Sequence, residues 1–488
     1  MKADTTMQNI RTVLCGCSML AGVLGMPGQT FAQTAPQSPP AASTPAAPKD
    51  AGAAGNVLRL HGSNTIGAEL APELLTAFGR QAGLTATRTI PGSEPETRTI
   101  IMDGGQPSKA LRAEVSARGS TTAFPALRDK QADIGMASRL ATEAEIKFID
   151  AAGQGDLNAP GNSTAISLDG VLVLVHPDNP LNSLTLDQVR DIFTGTVTNW
   201  SAVGGWDAPI NLYRRDSASG TFDTFRSLAL KGAAVAKTAK SFDSSEDLAD
   251  SVAADAKGIG FVGFAYARNA KPLALKLACG LEMAPQQFSV RTEEYPLSRR
   301  LMFYTPAEKS AVTQDFLRFA TSTAAQPIVQ KAGFINFLPE MADSKDRAAR
   351  LESFGLGVPA IPAAKATAAE FKRVTEGWQR LSTTFRFQNG VSLLDERSRE
   401  DLTRVAAWLK GEGAGRKLML IGYASKDGAF DANRWLSLRR AREVGNQLAA
   451  VGVRPVQFAG MGGMGQVGCD DLAAVNGGLN RRVEVWVK

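Results

Sequence analysis

The 488-residue sequence predicts an α/β protein in two parts, a larger two-lobed body and a small C-terminal α+β domain. Three observations carry that prediction. From about residue 56 to residue 345, short apolar segments alternate with helix-like patterns: VLRLHG with APELLTAFGRQAG, ADIGM with ATEAEIKFIDAAG, GVLVLVHP with LTLDQVRDIFTG. Such alternation makes parallel strands with helices on both faces, and so long a span suits two lobes better than one core. After a polar, Pro- and Ala-containing stretch the pattern restarts as β-α-β-α-β, from STTFRFQNG through REDLTRVAAWLKGEG, KLMLIGYA and NRWLSLRRAREVGNQLAAVGV to RRVEVWVK, the size of one small domain.

Taken in order, residues 1–32 read as an export signal. Lys2 and Arg11 precede TVLCGCSMLAGVLG, which is apolar but too short to span a bilayer, and Thr30-Phe31-Ala32 is a small-x-small cleavage pattern. Cleavage is expected after Ala32. Cys17 follows a glycine, which leaves lipid attachment as the alternative, and Cys15 two positions earlier counts against it. Residues 33–55, QTAPQSPPAASTPAAPKDAGAAG, lack large apolar side chains and are expected to form a disordered tether. The larger domain is placed at 56–345, a linker at 346–379 and the small domain at 380–488. No later segment is long and apolar enough for a membrane helix, so the mature chain is expected in the periplasm. There Cys279 and Cys469 either pair or stay buried as thiols.

Composition removes several classes. Lys plus Arg number 54 against 48 Asp plus Glu, a net charge of +6 without a tract of like charges, so no nucleic-acid partner is expected. The two histidines, His61 and His176, give metal sites and Ser-His-Asp chemistry almost nothing to work with, and no G-x-S-x-G elbow occurs. No catalytic residue, metal or cofactor is assigned, and the chain is read as a binding protein, not an enzyme.

Three stretches of the larger domain share one logic. Gly62-Ser63-Asn64-Thr65 follows the first strand, Arg118-Gly119-Ser120-Thr121-Thr122 precedes a helical run, and Ser217 to Thr221 follows PINLYRR. Each puts hydroxyl residues and a glycine at a strand-to-helix turn, where unpaired N–H groups and the positive end of the helix dipole can hold an anion. Each by itself is also an ordinary cap. Arg214 and Arg215 stand directly before the third.

In the order GSNTIG, RGSTTAFPAL with QADIGMASR, SLTLDQVRDIFTGTVTNWSAVGG, INLYRRDSASGTFDTF and IGFVGFAYA, residues 56–345 resemble the periplasmic phosphate-binding proteins of ABC importers. The resemblance implies a two-lobed type II solute-binding fold that closes on phosphate, with an ABC permease among the partners the family offers. Carried over position by position, it implies a site made by Thr65, Ser120, Ser138, Arg139, Arg215, Ser219, Gly220 and Thr221. Arg215 would give charge-assisted hydrogen bonds and Arg214 would be structural. Some members carry an Asp after the ADxGxxS stretch, which accepts the proton of a protonated phosphate. Arg139 stands there in this chain, which should strengthen anion binding and weaken discrimination, with Asp216 as an alternative acid. The stretch RTEEYPLSRRLMFYTP belongs to the same resemblance, and its Arg299 and Arg300 are expected to be structural.

The segments FRFQNGVSLLD, IGYASKDGAFDANRWLSLRRAREV and GGLNRRVEVWV resemble the OmpA-like peptidoglycan-binding domain, through N-x-x-L-S-x-x-R-A at Asn433, Leu436, Ser437, Arg440 and Ala441. That resemblance implies recognition of diaminopimelate in the peptidoglycan stem peptide by an acid eight residues before the Asn and an Arg seven after it. Asn433 and Arg440 are in place, but the acid position holds Ser425, which cannot balance an ammonium, and Asp427 is the alternative. The expected function is capture of phosphate or a similar oxyanion by a receptor held at the cell wall. The alternative is a structural or phosphate-sensing envelope protein with a degenerate wall site.

Overall fold

The computed structural model describes residues 56–94, 96–105, 110–217, 219–354, 361–387, 393–469 and 478–488. The expected export signal and tether lie outside them. A continuous mixed sheet runs through both lobes, its strands in the order Ala86–Pro91, Thr97–Asp103, Leu111–Ser116, Val57–Gly62, Ile134–Ala137, Ser298–Tyr304, Ser163–Val175, Gly258–Gly263, Asn211–Arg215 and Lys240–Phe242. Val57–Gly62 is parallel to both of its neighbours, as is Asn211–Arg215. The other pairings are antiparallel, which corrects the expectation of parallel sheets alone. For two of these pairings the cause is local: Ala86 to Ser116 form a meander whose connections are too short for a crossover.

Helices start where the sequence offers a cap. Thr142 and Thr185 close capping boxes with Glu145 and Gln188, and Ser219, Ser244 and Ser310 each accept a first-turn N–H. One lobe packs Leu58, Leu60, Leu74, Phe303 and Phe316 together. The other is centred on Phe193, Phe225 and Phe261, with the last two rings stacked 3.9 Å apart. Between the lobes runs Ser163–Val175, a strand buried at every position after the first.

The C-terminal sheet has four strands, Gln379–Arg386, Arg482–Val487, Leu418–Gly422 and Gln457–Gly460, in that order. The last adds a strand to the expected β-α-β-α-β pattern. It pairs in parallel with Leu418–Gly422, placed there by the helix Phe430–Ala450. The helices Glu396–Lys410 and Phe430–Ala450 cover one face through Val405, Ala441, Val444 and Leu448.

The expected linker is not a free connector. It contains the helices Ser344–Ser353 and Pro362–Val374, and Phe354, Ala364 and Phe371 pack with Met419, Ile421, Tyr423 and Trp486 on the other face of the sheet. Ala364, Ala368 and Phe371 recur at helical spacing, which gives the segment an apolar stripe to bury.

The two domains are also joined directly. Arg300, Arg386 and Arg397 converge on Glu293, Arg300 reaches Asp395 at 2.7 Å, and Arg380 pairs with Glu294. Burial opposes ionisation of Glu293, but its three guanidinium partners overcome that and hold the carboxyl well below the usual carboxylate range. Cys279 and Cys469 form a disulfide with their Cα atoms 5.7 Å apart. The pairing left open by the sequence therefore ties a loop of the larger domain to the C-terminal domain.

Candidate functional site

The first anion turn begins at Gly62, at φ 136°, where a Cβ would run into the Met136 carbonyl. Only glycine lets the chain swing Ser63 against the neighbouring strand end, where its N–H donates to Met136 O at 2.8 Å. Ser63 and Ser138 share a short hydroxyl–hydroxyl hydrogen bond, and Ser138 N donates to Ser120 Oγ at 3.0 Å. Their exposures of 1%, 5% and 6% show a buried hydroxyl chain fastening three chain reversals of one lobe. Ser120 Oγ acts there as an acceptor, so its own proton remains available to donate.

The second lobe contributes the turn before the helix Gly220–Leu228. Ser219 caps that helix, accepting from Phe222 N at 3.5 Å, and Thr224 Oγ1 donates to Gly220 O at 2.8 Å. A Cβ on Gly220 would lie 2.6 Å from both N and Cβ of Thr65, and closer still to its hydroxyl. The Thr65 turn of one lobe and the Gly220 turn of the other therefore meet.

The arginine joining these turns is Arg299. On the strand Ser298–Tyr304 it lies in register with Asp169 on Ser163–Val175, and the two form a buried ion pair at 3.1 Å. Arg299 Nη2 also donates to Thr65 Oγ1 at 2.8 Å and to Gly220 O at 2.9 Å. Burial pushes the Asp169 carboxyl up and the Arg299 guanidinium down, each opposed by the attraction of its partner.

The arginines expected from the sequence are engaged elsewhere. Arg139 donates to both carboxylate oxygens of Glu145, at 2.7 and 2.8 Å, and its guanidinium stands 5.6 Å from the Phe124 ring centre. Glu145 is held in place by the capping box with Thr142, so Arg139 meets a ready-made anion. Arg215 donates to Phe242 O at 3.3 Å, to Asp243 O at 2.7 Å and to Ser245 Oγ, and so holds the loop ahead of the helix Ser245–Ala254. Arg214 donates to Arg215 O at 3.0 Å and lies over Phe222. Of the three arginines, Arg299 is the one whose side chain meets both the Thr65 and the Gly220 turns, whereas Arg139 and Arg215 each bind within their own lobe. A signal was present in the sequence: Asp169 interrupts the apolar run SLDGVLVLV, and a carboxylate buried in such a strand needs a cation.

In the C-terminal domain the signature residues have distinct roles. Asn433 Nδ2 donates to Asp427 O at 2.7 Å and fixes the loop that carries Ser425. Ser437 Oγ accepts from Gly462 N at 2.9 Å, and a Cβ on Gly422 or Gly460 would collide with the Ser437 turn. Arg440 Nη1 reaches Tyr423 O at 3.4 Å, with its guanidinium 5.3 Å from the Phe387 ring centre. Burial and the nearby charge of Arg481 lower the Arg440 pKa. Ser425 is half-buried, whereas Asp427 is exposed.

Among the described residues no group of three or more His, Cys, Asp or Glu is placed to hold a metal, and no helix is long and apolar enough to cross a membrane.

The two lobes with opposed hydroxyl turns define the class of a solute-binding protein. A model described as a PBP superfamily domain matches residues 53–324, and the chain belongs to that superfamily. A model of the OmpA family matches residues 386–473, so the C-terminal domain is of OmpA type. More particularly, the chain is similar to phosphate-binding protein PstS of Bacillus subtilis, 31% identical over 223 residues that make up 46% of this chain and 70% of the relative. It is also similar to protein SphX of Synechocystis sp., 30% identical over 266 residues, 51% of this chain and 76% of the relative. Among solved structures, an ABC-type phosphate transport receptor from Vibrio cholerae matches with 24% identity and a TM-score of 0.43, covering 57% of this chain and 99% of that one.

Proposed function

We propose that this protein is a periplasmic solute-binding protein, not an enzyme, that captures inorganic phosphate or a closely related tetrahedral oxyanion between its lobes. The observation that carries this reading is the meeting of the Thr65 turn with the Ser219–Gly220 turn. The Thr65 hydroxyl and the main-chain N–H groups at the start of the helix Gly220–Leu228 offer donors where the turns meet, and Ser120, Ser138, Ser219 and Thr221 add hydroxyls on the same turns or on those fastened to them. Such donors suit an anion stripped of water and closed upon from two sides. Phosphate is favoured because PstS relatives carry that binding in their names.

In this reading an export signal delivers the chain to the periplasm, an ABC permease receives its cargo, and the C-terminal domain associates with peptidoglycan. Arg440 would meet a carboxylate of the stem peptide, while Ser425 offers a hydroxyl where an ammonium would gain more from an acid. Calorimetric titration of the mature chain with phosphate, sulfate and arsenate tests the receptor: phosphate should bind, and silence toward all three anions would remove the reading. Sedimentation with purified sacculi, with Arg440→Ala as comparison, tests the wall association.

A further inference from the structure

We propose that the C-terminal domain is a strap across the two lobes, with the Cys279–Cys469 disulfide as the latch that limits how far they part. Its effect on anion affinity rests on the receptor reading above, whereas the restraint itself does not.

The strand Ser163–Val175 divides between the lobes. Near its start, Ala165 pairs with Met302 and Met302 with Ala137, which places that end in the sheet of the first lobe. Its last residues, Val171 to Val175, pair with Gly258–Gly263 in the second lobe. The C-terminal domain holds the first-lobe end. Glu396 Oε1 accepts from Ala165 N at 2.9 Å, and the Arg397 and Arg404 guanidinium groups stand 4.9 and 4.6 Å from the Phe337 ring centre. Phe337 is tied to the first lobe in turn: its N–H donates at 2.8 Å to Gln326 Oε1 on the helix Gln326–Lys331, whose Val329 packs in that lobe's core.

The attachment to the second lobe is covalent. Cys279 lies between the strands Ala274–Lys276 and Glu282–Met283, which form a small sheet with Ser183–Thr185. Leu184 and Leu275 of that sheet join Phe193, Phe225 and Phe261 in the core of the second lobe. Cys469 bonds to Cys279 and packs with Leu277 and Leu281. Both attachments are fixed to one body. The helix Glu396–Lys410 enters the C-terminal core through Val405, and Asn480 Oδ1 accepts from Val467 N and Gly468 N, just ahead of Cys469. Lobes that part at the Thr65 and Gly220 turns must therefore strain the contacts at Ala165 and Phe337, because the disulfide does not yield. The latch thus removes open conformations from the anion-free ensemble and favours the closed one.

The test compares the oxidised mature chain with the double variant Cys279→Ser, Cys469→Ser and, in case that variant misfolds, with wild type reduced by a dithiol. The dithiol passes two electrons and two protons to the bond, leaving two cysteine thiols and becoming a cyclic disulfide itself. Cys279 is exposed, so the bond can be reached in the folded protein. Without anion, amide hydrogen exchange in the Thr65 and Gly220 turns should quicken about fivefold or more in both unlatched forms. Unchanged exchange in those turns overturns the latch, and so does an equal quickening of the core strand Leu111–Ser116, which would mean general loosening. Titration with inorganic phosphate should show binding weakened about fivefold or more, through faster release. Affinity within about twofold of the oxidised chain overturns the effect on binding. A wild type silent to phosphate, sulfate and arsenate removes the receptor reading instead, and hydrogen exchange still decides the restraint.

Discussion

Gly220→Ala tests whether the two turns close on one another. Gly220 lies outside the left-handed backbone region, so alanine adds no backbone strain, and at the first helical position it gains up to about 1 kcal/mol of helix propensity. Its methyl would stand 2.6 Å from both Thr65 N and Thr65 Cβ, where ordinary contacts begin near 3.4 Å. The lobes must then part by about 1 Å there, and by more to clear the Thr65 hydroxyl. Such a shift stretches the hydrogen bonds from Arg299 Nη2 to Thr65 Oγ1 at 2.8 Å and to Gly220 O at 2.9 Å beyond useful length. Each is a hydrogen bond from a charged donor, worth about 1.5–3 kcal/mol, so losing one in the closed state weakens anion affinity by about 10- to 150-fold. Lobes that part when no anion is bound would relieve this contact, so the melting temperature without anion should stay level or rise slightly. Calorimetry with phosphate, paired with thermal melts with and without it, reads both quantities. Wild-type affinity in Gly220→Ala would refute the closure argument.

Three further predictions follow from the fold. Burial raises the Glu396 carboxyl to about 7, against the pull of the Ala165 N–H and the charge of Arg300. The folded state then holds a proton that the unfolded chain has released, so stability should fall between about pH 4.5 and 7, by about 3 kcal/mol in all, and level off above that range. Glu396→Gln should flatten this slope in urea denaturation at pH 5 and 8, and an unchanged slope would remove the carboxyl as its source. Glu293→Gln leaves Arg386 without its carboxylate and weakens the hold on Arg300 and Arg397, which should cost about 3 kcal/mol and lower the melting temperature by several degrees. An unchanged melting temperature would show that the cluster contributes nothing net. Ser425→Asp restores an anion to the loop held by Asn433 and should strengthen binding of a diaminopimelate peptide about tenfold, measured by fluorescence titration with Arg440→Ala as the negative control.

Much of the site was readable in advance because its chemistry is local. A hydroxyl and a glycine at a strand-to-helix turn announce a cap with spare N–H groups, and Ser63, Ser120 and Ser219 stand at such turns. The N-x-x-L-S-x-x-R-A signature was readable for a similar reason: Asn433, Ser437 and Ala441 each meet a fixed demand of one helix against one loop or strand. The arginines were harder. Position in the chain favoured Arg215, two residues past its strand neighbour Tyr213 and just ahead of the capping turn, yet its side chain found the nearer carbonyls of Phe242 and Asp243.

What the sequence determined by itself is the alternation of strands and helices, the places where helices begin and the supply of small hydroxyl residues at three turns. Those depend on neighbours a few positions apart. Only the tertiary structure decided which cation faces the turns, because Asp169 and Arg299 are 130 residues apart and are brought opposite by strand register. It likewise decided that the segment after residue 343 is part of the C-terminal domain, because Phe371 acquires value only when Trp486 and Ile421 offer a surface to cover. A guanidinium has several acceptors within reach of its own loop, and burial beside a carboxylate that cannot stand alone selects among them.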